Sequence, residues 1–391
     1  MIKLNSSWPS YTQEEANKVS EIILSNKVNY WTGTEGRKFE KEFARFAETD
    51  YAVAVANGTV ALDLALHALE IGDGDEVIVT PRTFIASISS IVNCGAIPIF
   101  ADVDTDSQNI TPESIRMVLT PNTKAIICVH LAGWPCQMDD IMAFACDKGL
   151  KVIEDCAQAH GAKYLGRSVG SFGHIGAWSF CQDKIMTTGG EGGMVTTNDE
   201  KLWEKMWSYK DHGKSFDAVY NRDHPPGFRW LHESFGTNWR LTEMQSAIGR
   251  IQLAKMREWT KKRASNATKL KAVFNNYDFL YIPETPQDIW HANYKFYTFV
   301  NSKKLPTNWS RDRILEELNK VGVFAMQGSC SEVYMEKAFE GTNFLPAKRL
   351  KKAKELGETS IMLQVHPTLE FEEMREICDG ITRVLDSVNI T

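Results

Sequence analysis

The chain has 391 residues, enough for a large buried core and for more than one small domain. Its composition, 43% hydrophobic and 24% charged, is that of a water-soluble globular protein, and a net charge of −6 argues against bulk nucleic-acid binding, which needs a basic field. The first residues lack a secretory layout, no apolar run is long enough to cross a bilayer, and the eight cysteines form no C-x-x-C pair, so reduced thiols, no metal site and a cytoplasmic location are expected.

Residues 51–56 read as a buried strand, and Asn57-Gly58-Thr59 opens a helix that runs to 70. Strands are expected at 76–80, 96–101, 124–130 and 150–155, with helices at 84–94, 112–119 and 139–148. This alternation with short turns predicts an α/β fold, a mostly parallel sheet covered on both faces. In such sheets crossovers are right-handed and ligands collect at the carboxyl ends of the strands. Beyond 198 the texture changes: a helix at 201–211, a polar and aromatic loop at 214–235 that is long enough to be functional, and a long helix at 241–275. The remainder alternates strands at 294–300 and 361–365 with helices at 311–321, 347–358 and 371–388. It reads as a smaller α+β domain, so the division is 1–255 for the large domain and 256–391 for the small one.

Three features along the large domain carry chemistry. Asn57-Gly58-Thr59 follows a strand and starts a helix, so its free N–H groups suit a phosphate, with Gly58 allowing close approach; an ordinary helix cap is the alternative. Asp155 ends an apolar strand and projects into the cleft above the sheet, where a carboxylate can keep a pyridine nitrogen protonated; alternatively it caps the next helix. Glu154 points the other way by strand alternation. Lys184 lies between a strand and a loop of four glycines, Gly189, Gly190, Gly192 and Gly193. An amine there can reach a cofactor aldehyde and then move protons; a solvated surface lysine is the alternative. Ser179 adds a hydroxyl for the phosphate, and Phe84 an aromatic face for the ring. A phosphate turn, a strand-end aspartate and a lysine before a glycine loop, in that order, suit a transferase that uses pyridoxal 5′-phosphate (PLP) on the aspartate-aminotransferase (type I) fold.

Longer motifs sharpen this. Trp31-Thr32-Gly33, Thr83-Phe84-Ile85-Ala86, Glu154-Asp155-Cys156-Ala157-Gln158-Ala159-His160-Gly161, Gly190-Glu191-Gly192-Gly193-Met194-Val195 and Asn238-Trp239-Arg240-Leu241-Thr242-Glu243 are together similar to the signatures of the DegT-type (DegT/DnrJ/StrS) nucleotide-sugar aminotransferases, over almost the whole chain. The resemblance implies that Lys184 holds the cofactor and acts as acid and base. It places Asp155 at the pyridine nitrogen, Gln158 near the ring's 3′ oxygen, Gly58, Thr59 and Ser179 at the phosphate, and Phe84 on the ring. Asn238 would reach the phosphate of a neighbouring subunit, making the working unit a homodimer. Trp31, His160, His212, Arg229, Arg240 and Gln327 are candidates for substrate contact, the arginines for an anionic group.

Two stretches depart from the family pattern. Cys181-Gln182-Asp183 stands where an aromatic residue or histidine and then a proline are usual, and residues 326–334 replace a Tyr/Pro/His-rich segment. Relatives with histidine for the lysine dehydrate sugars, and Lys184 argues against that branch. The expected reaction is ping-pong transfer of an amino group from L-glutamate to a nucleotide-linked keto sugar, at C4 or else C3, for a bacterial surface polysaccharide such as O-antigen. Other PLP chemistry and a non-catalytic PLP-binding sensor are the competing readings.

Overall fold

In the computed structural model, which describes residues 6–389 except 225 and 228, seven short runs of β-branched and small residues form one sheet. Residues 1–5, read above as lacking a leader, and 225 and 228 of the expected loop lie outside the described residues. The strands are β1 (Tyr51–Val55), β2 (Glu76–Val79), β3 (Ile97–Phe100), β4 (Thr123–Val129), β5 (Lys151–Asp155), β6 (Ile175–Ser179) and β7 (Gly193–Thr197). They lie in the order β1-β7-β6-β5-β4-β2-β3. All run parallel except β7, which is antiparallel to both its neighbours. Alternate residues enter separate cores. Val77, Val79, Ile127 and Ile153 pack on one face, while Ile78, Ile126, Cys128 and Val152 pack on the other. Both faces are therefore dry, as parallel strands require.

A second, four-stranded antiparallel sheet comprises β8 (Leu280–Tyr281), β9 (Lys295–Val300), β10 (Ala325–Met326) and β11 (Ser360–Gln364), in the order β8-β9-β11-β10. Phe296, Ile361 and Leu363 from it pack with Leu270 and Phe274 of the long helix Glu243–Phe274 and with Ile381 and Leu385 of the helix Phe371–Asn389. A capping box, Thr242 with Gln245, starts the long helix. Its buried Glu243 accepts from the N–H groups of Glu35 (2.6 Å) and Gly36 (2.9 Å), placing a carboxylate at the N-terminus of the helix Glu35–Phe46. That contact is the structural reason for a glutamate at the end of the Asn238–Glu243 motif.

The expected loop at 214–235 contains a short helix, Phe216–Tyr220, capped by Ser215, whose side chain accepts from Ala218 N–H. The cap was readable as a start signal. The helix expected at 347–358 begins later, at Lys351–Thr359. Two helices, Gln13–Ser25 and Glu35–Phe46, precede the first strand. No helix among the described residues is long and apolar enough to cross a membrane.

Candidate active site

The carboxyl ends of β5 and β6 and the N-termini of the helices Gly58–Ala68 and Ala86–Asn93 open on one cleft of about 1240 Å³. Lys295, Tyr297, Met362 and Gln364 of the four-stranded sheet form its far wall.

Asp155 ends β5 and is 5% exposed. Its Oδ2 accepts from Ser87 Oγ at 2.8 Å and its Oδ1 from Ala157 N–H at 3.1 Å. Having given its one proton to Asp155, Ser87 must accept from Thr83 Oγ1, 3.0 Å away. Burial pushes the Asp155 carboxyl above its ordinary range, while Ser87, Ala157 and the charge of Lys184 oppose the rise. A cation beside Asp155 would lower the cost of keeping it ionised.

Gly58 begins its helix behind Asn57, whose side chain accepts from Val60 N–H at 3.0 Å. A Cβ at position 58 would lie 2.6 Å from Ser179 Cβ and 2.9 Å from its Oγ. Only glycine lets the helix end come this close to Ser179, and the first-turn N–H groups have no partners within the helix. The result is a cradle of N–H groups and a hydroxyl, suited to a phosphate.

Lys184 follows β6, its side chain 16% exposed. Its backbone N–H donates to Cys181 O at 3.0 Å, and its carbonyl accepts from Trp8 Nε1 at 2.8 Å. Nζ lies 3.9 Å from Asp183 Oδ1 and 5.5 Å from the centre of the Tyr294 ring. Gln158 lines the cleft with its Oε1 held by Ala132 N–H at 2.8 Å. Phe84, 68% exposed, stands in the cleft wall. The cleft therefore brings together Gly58, Thr59, Phe84, Asp155, Gln158, Ser179 and Lys184.

The remaining candidates lie elsewhere. His160 does not face the cleft: it is fully buried among Phe43, Trp178 and Phe180, and burial, with the charges of Lys184 and Arg263, pushes its imidazole down to about 3. Trp31 packs edge-on against Tyr30 and Trp207, with Lys214 Nζ 4.1 Å from its ring. Arg240 is committed to Asp211, Nη1 to Oδ1 at 2.6 Å. Arg229 and His212 are exposed, and His212 holds a left-handed backbone (φ 62°) while donating to Thr237 O. Gln327 is exposed, and its carbonyl accepts from Ser360 Oγ at 2.6 Å. Asn238, also exposed, pairs through its backbone with Asp211.

Sequence reasoning missed Thr83, Ser87, Asp183, Tyr294 and Lys295 as parts of this cleft. Thr83 and Ser87 had a local signal, two hydroxyls four residues apart at the start of a helix. Tyr294, whose hydroxyl donates to Asp183 Oδ2 at 2.5 Å, and Lys295 had none, because they arrive from the other sheet.

Among the described residues one group, His130, Glu154 and Cys156, brings possible metal-ligand atoms within 4.8 Å. His130 Nδ1 accepts from Cys136 N–H, so its Nε2 carries the proton toward Glu154 Oε2 at 3.0 Å. Glu154 also accepts from Gly170, Phe172 and Gly173 N–H at 2.7–2.8 Å. With these atoms committed, the group clamps the 170–173 turn against β5 and offers no free ligand set.

Residues 9–382 match the DegT/DnrJ/EryC1/StrS aminotransferase family. The chain is 35% identical to GDP-perosamine synthase of Escherichia coli O157:H7, over 95% of this chain and 96% of that one. It is 34% identical to the UDP-N-acetyl-3-dehydro-α-D-glucosamine 3-aminotransferase of Acidithiobacillus ferrooxidans, covering 98% and 97%. An aminotransferase of Psychrobacter cryohalolentis, solved by X-ray diffraction, superposes with a TM-score of 0.97 at 62% identity, covering 98% of this chain and 99% of that one. The family's cofactor, PLP, fits the residues in the cleft: the Gly58–Ser179 cradle would suit its phosphate, the buried Asp155 has no cation within 4 Å among the described residues, and Lys184 would offer the amine. The chain belongs to the DegT/DnrJ/EryC1/StrS aminotransferase family and is a PLP-dependent sugar aminotransferase.

Proposed function

We propose that this enzyme moves the amino group of L-glutamate onto the keto carbon of a sugar carried by a nucleoside diphosphate. When bound, PLP supplies an aldehyde that condenses with amines and a ring that takes up the electrons of a carbanion. Lys184 is the amine that holds it and, once displaced, the base that carries a proton from the donor's α carbon. Asp155 keeps positive charge on the ring nitrogen, Gly58, Thr59 and Ser179 bind the phosphate, Gln158 orients the ring through its 3′ oxygen, and Phe84 covers one face. The observation that carries this reading is the convergence of Lys184, Asp155 and the Gly58–Ser179 cradle on one cleft.

The acceptor carbon is C4 in the first reading. The Acidithiobacillus relative, whose name places amination at C3, supports C3 as the second. The working unit is a homodimer in the cytoplasm, with Asn238 reaching the cofactor phosphate of a second copy. Arg229 and His212 stand on the same exposed stretch and meet the anionic substrate there, while Arg240, tied to Asp211, positions Asn238. The amino sugar serves a bacterial surface polysaccharide of the O-antigen kind.

Lys184→Ala is expected to bind PLP without a covalent link, seen as a changed cofactor absorbance, and to show no turnover. Normal activity in that variant refutes the proposal. Offering the aminated enzyme 3-keto and 4-keto sugars on UDP, dTDP and GDP identifies the acceptor.

A further inference from the structure

We propose that Lys295 receives an oxyanion of the substrate in the reactive cleft. The inference rests on the reading above for the identity of the substrates, and on the following geometry for the residue.

Lys295 opens β9 and lines the cleft wall facing Asp155 and Lys184. Its Nζ lies 4.7 Å from the centre of the Tyr294 ring, and Lys184 Nζ lies 5.5 Å from the same centre. The two ammonium nitrogens are therefore at most about 10 Å apart, within reach of one small substrate. Among the described residues, no carboxylate comes within 4 Å of Lys295 Nζ. Asp183 is the carboxylate that acts on it, and Asp183 is already engaged by the Tyr294 hydroxyl and by Lys184. Behind the strand, Arg263 is 1% exposed and donates to the carbonyls of Asn293 and Tyr294, adding a second cation with no carboxylate of its own among the described residues. Lys184, Lys295 and Arg263 thus share this corner with two carboxylates, Asp183 and, across the cleft, Asp155. Burial holds the Lys295 ammonium down at about 8 against the pull of Asp183, with smaller contributions in the same direction as burial from the charges of Arg263 and Lys184.

A partly desolvated lysine whose carboxylate lies beyond 4 Å and is shared with other partners is costly unless a ligand supplies further negative charge. Packing on Tyr294 offers the other explanation, a cation–π contact. Both substrates of the proposed reaction carry oxyanions a few bonds from the reacting carbon: the carboxylates of the donor and the diphosphate of the acceptor. An ammonium at this place serves either as a point charge.

The test uses the PLP-loaded enzyme as wild type, Lys295→Met and Lys295→Arg. Calorimetry measures the dissociation constants of glutarate, a dicarboxylate that cannot react, and of UDP, dTDP and GDP. Lys295→Met is expected to weaken at least one class by fivefold or more, and Lys295→Arg to stay within fivefold of wild type. Loss confined to glutarate assigns the donor carboxylate; loss confined to the nucleotides assigns the diphosphate. Less than fivefold loss for both classes, an equal loss in Lys295→Arg, or a wild type that binds neither probe overturns the proposal. Lys295→Gln replaces the methionine variant if the latter fails to retain its cofactor. Failure of the amino-transfer reading shows separately, as wild-type enzyme that L-glutamate does not convert.

Discussion

Replacing Gly58 with alanine tests the cofactor cradle through packing alone. Gly58 sits in the first turn of its helix and does not need a left-handed backbone, so an unobstructed alanine would stabilise the helix by up to about 1 kcal/mol. Here the new Cβ would fall 2.6 Å from Ser179 Cβ, 2.9 Å from Oγ and 3.1 Å from Cα. Non-bonded carbons settle at about 3.5–4.0 Å, so the overlap is roughly 1 Å or more. Overpacking of this size costs about 1–3 kcal/mol, which outweighs the helix gain. Gly58→Ala should therefore destabilise the protein by about 1–2 kcal/mol and weaken PLP by about tenfold as the helix end moves off the phosphate. The second site makes the test specific. Ser179→Gly removes both side-chain contacts and leaves only the one at 3.1 Å, whereas Ser179→Ala keeps the one at 2.6 Å. A double-mutant cycle should return a coupling of about 1 kcal/mol or more with Ser179→Gly and almost none with Ser179→Ala. Urea unfolding reads the stability and a PLP titration of stripped enzyme reads the affinity. A stabilised Gly58→Ala, or equal rescue by both partners, would refute the reasoning.

Glu154→Gln puts an NH2 group where backbone N–H donors now point, and each buried donor left unmatched costs about 1–3 kcal/mol. We expect a loss of about 2–4 kcal/mol in urea denaturation, whereas a change under about 0.5 kcal/mol would show that the clamp on residues 170–173 is dispensable. His160 is held neutral in the fold down to about pH 3, while in the unfolded chain it takes up a proton near 6.5. Its stabilising share is therefore complete above pH 6.5 and is lost as the pH falls toward 3, at about 1.4 kcal/mol per pH unit. His160→Phe should remove that slope between pH 6 and 4, and identical stability–pH curves for the two proteins would contradict the assignment.

What the sequence could reveal was local. Runs such as Val77–Val79 and Ile126–Val129 reveal buried strands because both faces of a parallel sheet are dry, and a polar residue that ends such a run, as Asp155 does, must lie at the ligand-binding edge. The reversal of β7 was not legible, since Gly193–Thr197 carries apolar and small residues on both faces whichever way it runs. His160 misled for a related reason. It lies two residues beyond Gln158 in the same motif, but the chain turns after β5, so one side chain lines the cleft and the other enters the aromatic core. Arg240 and Trp31 carried residue types suited to a ligand and are occupied by partners within the fold: Asp211 for the first, Tyr30, Trp207 and Lys214 for the second. Tyr294 and Lys295 reach the cleft from more than 100 residues beyond Lys184, and no pattern of period two or 3.6 reports a contact of that span.

Glu154 and Asp155 show how one strand gives two adjacent carboxylates different work. Strand alternation sends them to opposite faces, and the number of donors each meets then decides its role. Glu154 meets three backbone N–H groups and an imidazole, so nothing remains for a ligand to add. Asp155 meets one hydroxyl and one N–H, is buried to the same degree as a core side chain, and is pushed toward its neutral form. Such a group gains from any nearby positive charge, and by the same coupling it holds a proton on whatever base is brought against it. A pyridine nitrogen placed there stays cationic, which is the condition under which its ring withdraws electrons from a carbanion. Saturating Asp155 with donors, as the fold has done for Glu154 one residue earlier, would reduce what it gains from a neighbouring cation and so weaken its hold on a proton at a ring nitrogen in the same cleft.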